Sequence, residues 1–212
     1  MNRKRTVLLF SAIIIIVAAM ATIHFRHPHS QTKSPVIKDV ITKTVAHPAT
    51  VQPTSKNYIP TAAPNEPSYI SLPTIGAAGY IQKVGIDQYG QMAAPNNVHL
   101  AGWYVNSLLP GQAGLSIIDG HVDGSTHHQG IFGQLSKLQP SNVFTVTFGN
   151  GSHKSFAVKS VQLVDAANVP SILFAHDPAI TNQLNLITCG GDYDGVSHTY
   201  DKRTIIISAL LD

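Results

Sequence analysis

The stretch Val143-Phe144-Thr145-Val146-Thr147-Phe148-Gly149-Asn150-Gly151-Ser152-His153-Lys154-Ser155-Phe156-Ala157-Val158-Lys159-Ser160-Val161-Gln162-Leu163-Val164 decides the fold class. Two runs rich in Val, Phe and Thr flank Gly149-Asn150-Gly151, and Gly and Asn accept the positive φ angles that a tight reversal needs. This reads as a β-hairpin with strands over Val143–Phe148 and Ser155–Val164. Working outward, comparable apolar stretches separated by Gly, Pro and Asn predict strands at Gly79–Ile86, Leu115–Asp119, Leu184–Thr188 and Thr204–Ala209. Helical spacing is confined to Ile131–Leu138 and to Val169–Phe174, where a proline stands near the first turn. The pattern predicts a mainly β domain, a closed barrel or a sandwich, with one or two short helices. The glycine pairs lack the strand-to-helix setting of a phosphate-cradling loop.

Composition divides the chain. All 16 glycines follow residue 75, whereas eight of the 13 prolines fall between Pro28 and Pro73. Residues 1–66 hold eight basic and two acidic side chains, and 67–212 hold six basic and nine acidic ones. The basic excess therefore belongs to the N-terminal part, and the acidic remainder lacks the Lys/Arg footprint of a nucleic-acid-binding domain. Arg3-Lys4-Arg5 precedes an uncharged apolar run, Val7–Ile23, that ends close to Arg26. As a helix it would span roughly 25 Å, which suits a single membrane crossing with the N-terminus in the cytoplasm and the body outside. Ala19-Met20-Ala21 leaves a cleaved signal peptide as the competing reading, and either way the body is exported. Residues 27–66, glycine-free and rich in Pro, Thr and Ser, read as an extended extracellular linker. The expected layout is thus 1–26 tip and anchor, 27–66 linker, 67–212 folded β domain.

A single cysteine, Cys189, excludes an intrachain disulfide and a multi-cysteine zinc site. It follows the apolar Leu184–Thr188 run and precedes Gly190-Gly191, which predicts a strand end where the chain turns away. His121 stands just past the Leu115–Asp119 run, and Arg203, the only arginine beyond Arg26, enters the Thr204–Ala209 run. Cysteine, histidine and arginine at strand ends suit thiol acyl transfer: a thiolate attacks, an imidazole moves the proton, and a guanidinium steadies negative charge. Thr188 is a further oxyanion or substrate candidate, and Asp123 a candidate for orienting the imidazole. A buried, structural Cys189 in a non-catalytic surface domain is the competing reading. His127-His128 and the Asp192/Asp194 pair carry no metal-site spacing, so no metal and no cofactor is expected. Trp103 and Tyr104 read as core or barrel-mouth packing.

The segments GLSIIDGHVDG (114–124), LNLITCGGDYD (184–194) and TYDKRTIIISAL (199–210) resemble the His, Cys and Arg segments of the sortase family. GIDQYGQMAAPNNVHLAGWYVNSLLPGQAG (85–114) is similar to the region before the histidine in its class E and F members, and the resemblance runs from about Leu72 to Leu210. It implies an eight-stranded sortase-type β-barrel on a membrane-anchored, extracytoplasmic cysteine transpeptidase. It further implies Cys189 as nucleophile, His121 as proton donor to the leaving amine and Arg203 as substrate or oxyanion holder. The implied partners are proteins bearing an LPxTG-like sorting signal and an amine acceptor, either a cell-wall precursor or a pilin lysine. The family motif TLxTC stands here as Asn185-Leu186-Ile187-Thr188-Cys189, with Asn in place of the first Thr. L,D-transpeptidases, also exported cysteine enzymes, fit less well, because Ile187-Thr188 and Gly190-Gly191 flank the cysteine where that family has serine, histidine and glycine before it and arginine soon after.

Overall fold

The computed structural model describes residues 58, 61–124 and 128–211. The apolar run Val7–Ile23, the 27–57 segment and His127 lie outside them. Among the described residues no helix is long and apolar enough to cross a membrane.

Period-two burial makes the central hairpin. Phe144, Val146 and Phe148 turn inward on one strand, and that strand pairs antiparallel with the next, Val143 opposite Ala157 and Thr147 opposite His153. Gly151 takes φ +81° at the turn, and the Asn150 side chain accepts from the Ser152 N–H at 2.9 Å. Eight strands follow in chain order: β1 Pro67–Leu72, β2 Ala77–Val84, β3 Ala101–Tyr104, β4 Gly114–Gly120, β5 Val143–Phe148, β6 His153–Asp165, β7 Asn182–Asp194 and β8 Thr199–Leu210. They close into a barrel in the order β1-β2-β3-β4-β7-β8-β6-β5, with β5 returning to β1. The expected closed eight-stranded barrel is what forms. Two neighbour pairs, β2–β3 and β4–β7, are parallel, so each requires a long crossover. Those crossovers, 85–100 and 121–181, bring loops and the short helix α1 (Val169–Leu173) to the barrel's exterior and rim.

The interior is filled by Ile70, Leu72, Phe132, Phe144, Phe156, Leu186 and Ile206, with Phe144 and Phe156 stacked at 5.6 Å. A second cluster, Ile117, Val164, Leu173, Ile187 and Ile205, lies where α1 covers the outer faces of β4, β7 and β8. The Trp103 ring is buried, and its Nε1–H donates to the Leu108 carbonyl at 3.1 Å.

Several expectations are corrected. β1 and β3 carry no signal strong enough to be read, one opening on Pro67 and the other only four residues long. Ile131–Leu138 is not a helix. Its bonds close over three residues (Gly133 to Gly130, Leu135 to Phe132), and only Leu135–Lys137 forms a 3-10 turn. Ile131, Phe132, Leu135 and Leu138 are all buried, so the apolar spacing reflects a plug in the barrel interior. β7 does not stop at Cys189: it runs to Asp194 through an irregularity between Gly190 and Tyr193, and pairs with β8 in a ribbon that overhangs the barrel.

Candidate active site

Register alone places three side chains side by side. In the parallel β4–β7 pair Asp119 lies opposite Ile187. Cys189 lies two residues beyond Ile187 on β7 and His121 two residues beyond Asp119, just past the end of β4, and the two share the lining of both cavities described below. In the antiparallel β7–β8 pair Cys189 lies directly opposite Arg203. Residues 68 and 14 positions from the cysteine in sequence thus meet across three adjacent strands.

Each is held differently. The His121 carbonyl accepts from the Phe132 N–H at 3.0 Å, and a Cβ at Gly130 would overlap that carbonyl, so the turn after the histidine can press against its backbone only because position 130 is glycine. The imidazole Nε2 lies 2.7 Å from the Pro95 carbonyl oxygen. A carbonyl only accepts, so Nε2 carries the proton, and in the neutral ring Nδ1 is the basic nitrogen. The Arg203 Nη1 donates to the carbonyls of Tyr200 and Lys202, each at 2.8 Å, which fixes the plane of the guanidinium beside the thiol. Cys189 is partly exposed. Burial raises its thiol above the ordinary cysteine value, Arg203 opposes this, and the carboxylates of Asp123 and Asp119 add to it.

The cysteine and the histidine form a ridge between two cavities. One, of about 680 Å³, lies on the α1 side and is walled by Met92, Tyr104, Leu173, Phe174 and Ile187, with Asp119, Thr188 and Arg203 among its polar members. The other, of about 630 Å³, opens under the β7–β8 ribbon between Asp123, Tyr193, His198 and Tyr200.

Of the two weaker candidates, Asp123 takes a different partner from the one expected. Asp123 does not hold the imidazole: it accepts from the Tyr200 hydroxyl at 2.6 Å, and that bond with burial pushes the tyrosine up to about 12. The group on the imidazole is a backbone carbonyl, for which sequence offers no signal. Thr188 alternates with Cys189 along β7 and is buried, yet it also lines the α1-side cavity, and its hydroxyl has no hydrogen-bond partner. Asp119, Tyr193 and Tyr200 were not singled out by sequence, although Asp119 stands two residues before His121, the same-face spacing of a strand.

Asn185, the departure in the TLxTC motif, is fully buried, and its Nδ2 donates to the Leu173 carbonyl at 2.8 Å while its Oδ1 accepts from Gln183 at 2.9 Å. It ties the end of α1 to β7 and so fixes the cavity wall. Asn185→Ala should cost about 1–3 kcal/mol, because the buried Leu173 carbonyl loses its donor. Thermal unfolding is the measurement, and a loss below about 0.5 kcal/mol would remove the tie.

The family model described as Sortase domain matches residues 70–211. Among solved structures the barrel is similar to sortase A from Corynebacterium diphtheriae, lid mutant, at TM-score 0.54 and 23% identity over 74% of each chain. It is also similar to sortase C-1 from Actinomyces oris, at TM-score 0.52 and 22% identity over 68% of this chain and 71% of that one. A third similar structure is the pilus-related sortase C of Group B Streptococcus, at TM-score 0.51 and 18% identity over 71% of this chain and 69% of that one. No curated protein matches the chain in sequence.

Proposed function

The chain belongs to the sortase family, and from that premise we propose that it is a membrane-anchored cysteine transpeptidase that cleaves an LPxTG-like sorting signal after Thr and passes the acyl group to an amine. The observation that carries this reading is the register that sets Cys189 opposite Arg203, together with the two cavities that Cys189 and His121 both line.

In the proposed cycle the raised thiol rests protonated. His121 takes its proton through Nδ1, and the Cys189 thiolate forms a bond to the threonine carbonyl carbon. The carbonyl becomes a tetrahedral oxyanion beside Arg203, whose guanidinium carries the compensating charge without moving. As the C–N bond breaks, imidazolium returns the proton to the departing glycine amine, leaving a thioester. An incoming amine then attacks the thioester, loses its proton to His121, and expels the cysteine thiolate, which takes that proton from the imidazolium and restores the resting thiol. Water can replace the amine. The α1-side cavity, with Leu173, Phe174 and Ile187 on its wall, is assigned to the Leu-Pro portion of the signal, and the ribbon-side cavity, with Asp123, His198 and Thr199 on its wall, to the acceptor. The acceptor is a cell-wall precursor or a pilin lysine, and the run Val7–Ile23 holds the domain outside the membrane.

The test is mass spectrometry of products from a small LPxTG-variant peptide library incubated with triglycine and other amines. Transpeptidation products ending in Thr-Gly-Gly-Gly support the reading, and an unchanged library excludes it. Arg203→Lys should lower kcat/KM by about 10²–10³, the usual cost of one oxyanion donor, because a lysine cannot both bond two carbonyls and present a planar fork. Activity within threefold of the parent enzyme would reduce Arg203 to a structural residue.

A further inference from the structure

The described residues hold two buried side-chain polar atoms with no hydrogen-bond partner, the Thr188 hydroxyl and Oδ1 of Asp119, both on residues that line the α1-side cavity. Unsatisfied buried polar atoms are uncommon, and each asks for a partner. Asp119 lies opposite Gly102 on β3, and a Cβ there would overlap Oδ1, so the absence of a side chain at Gly102 is what admits the carboxyl. Asp119 as a whole keeps 8% of its exposure; Oδ1 itself is shut against Gly102, so the rest of the carboxyl is what borders the α1-side cavity, whose other walls are mostly apolar. Asp119 stands two residues before His121 and shares the α1-side cavity with His121 and Cys189.

We propose that Asp119 is a substrate-contacting residue that acts as an uncharged acid, donating a hydrogen bond to a main-chain carbonyl of the sorting peptide in the α1-side cavity. This deepens the transpeptidase reading and rests on it. Burial drives the carboxyl toward its protonated form, up to about 8, so at neutral pH it is a donor. The groups that share its surroundings are Arg203 on β8, Cys189 on β7, and His121 and Asp123 just past β4, whereas Gly102, Val84, Pro95 and α1 bring no charge. Arg203 on the same cavity disfavours a cationic occupant, which leaves the uncharged peptide group as the partner. The sign with pH follows: below about 8 the acid donates, and above it the ionised carboxylate repels the carbonyl, so KM rises through that range.

The experiment is steady-state cleavage of a fluorogenic Leu-Pro-Ala-Thr-Gly peptide by the full chain in detergent, from pH 6 to 9.5, with Asp119→Ala and Asp119→Asn alongside. Expected is a five- to hundredfold loss of kcat/KM for Asp119→Ala, about the cost of leaving one buried polar partner unmatched, and carried by KM. Asp119→Asn keeps a donor in place, so it should recover most of that loss and show no rise of KM near pH 8. Methyl methanethiosulfonate should modify Cys189 within twofold of the parent rate in both variants at pH 7. Asp119→Ala within twofold of the parent on the peptide overturns the proposal. So does a matching loss in the small-reagent rate, which would make Asp119 a support for the cysteine and not a contact for the peptide. No cleavage by the parent enzyme itself would instead overturn the transpeptidase reading, and this proposal with it.

Discussion

Cys189→Ala should give no cleavage of an LPxTG-type peptide and take up no methanethiosulfonate label, whereas the parent enzyme is expected to do both. Cys189 is the single thiol in the chain, so label and activity must disappear together if the reading is right. The pH dependence separates a reactive thiol from one that is merely present. Burial raises the Cys189 pKa, so near neutrality the thiolate is the minor form, and each pH unit gained below that pKa multiplies the thiolate fraction about tenfold. Labelling should therefore climb with pH past the ordinary cysteine value before it levels. Asp119 sharpens the profile: it ionises near pH 8, and its new charge opposes the thiolate, so the climb should flatten in that range. A labelling rate already level at pH 7 would mean that the thiol is depressed, and a folded protein that never labels would mean that Cys189 is sealed. Either outcome removes the proposed resting state.

How much of this was legible in the residues depends on the physics behind each feature. The β5–β6 hairpin was legible because its determinants are local: alternating apolar residues and a Gly-Asn-Gly turn. β3 was not, because Ala101-Gly102-Trp103-Tyr104 has no alternation; it is a strand because β2 and β4 hydrogen-bond it on both sides, and Gly102 is small because the Asp119 carboxyl occupies the space above it. The plug at Ile131–Leu138 misled for a related reason, since helical spacing and burial from several sides give the same apolar pattern. Cys189, His121 and Arg203 could be singled out by residue type and by strand-adjacent position. Their alignment could not, because it arises from a parallel β4–β7 pairing between segments some sixty residues apart. The Pro95 carbonyl on the imidazole is beyond any side-chain reasoning, as every residue type supplies the same acceptor.

His121→Ala should retain about 10⁻² to 10⁻⁴ of parental peptide cleavage, the usual range for a lost general acid–base. The residue moves a proton twice in the proposed cycle, and the two roles separate by choice of leaving group. A glycine amine must be protonated to depart, whereas an activated ester leaves as a stable anion. At pH 9.5 more of the thiol ionises without help, so ester cleavage by His121→Ala should recover toward the parent rate, while peptide cleavage stays low for want of the acid. Equal deficits on both substrates at that pH would mean that the histidine shapes the site and transfers no proton. The Pro95 contact adds a further constraint. Because that carbonyl keeps the proton on Nε2, the neutral ring offers Nδ1, and ¹⁵N spectra of the resting enzyme should show the Nε2–H tautomer. The opposite tautomer would break the link between the loop around Pro95 and the proton path, and with it the reason that an ordinary backbone carbonyl serves where a carboxylate was expected.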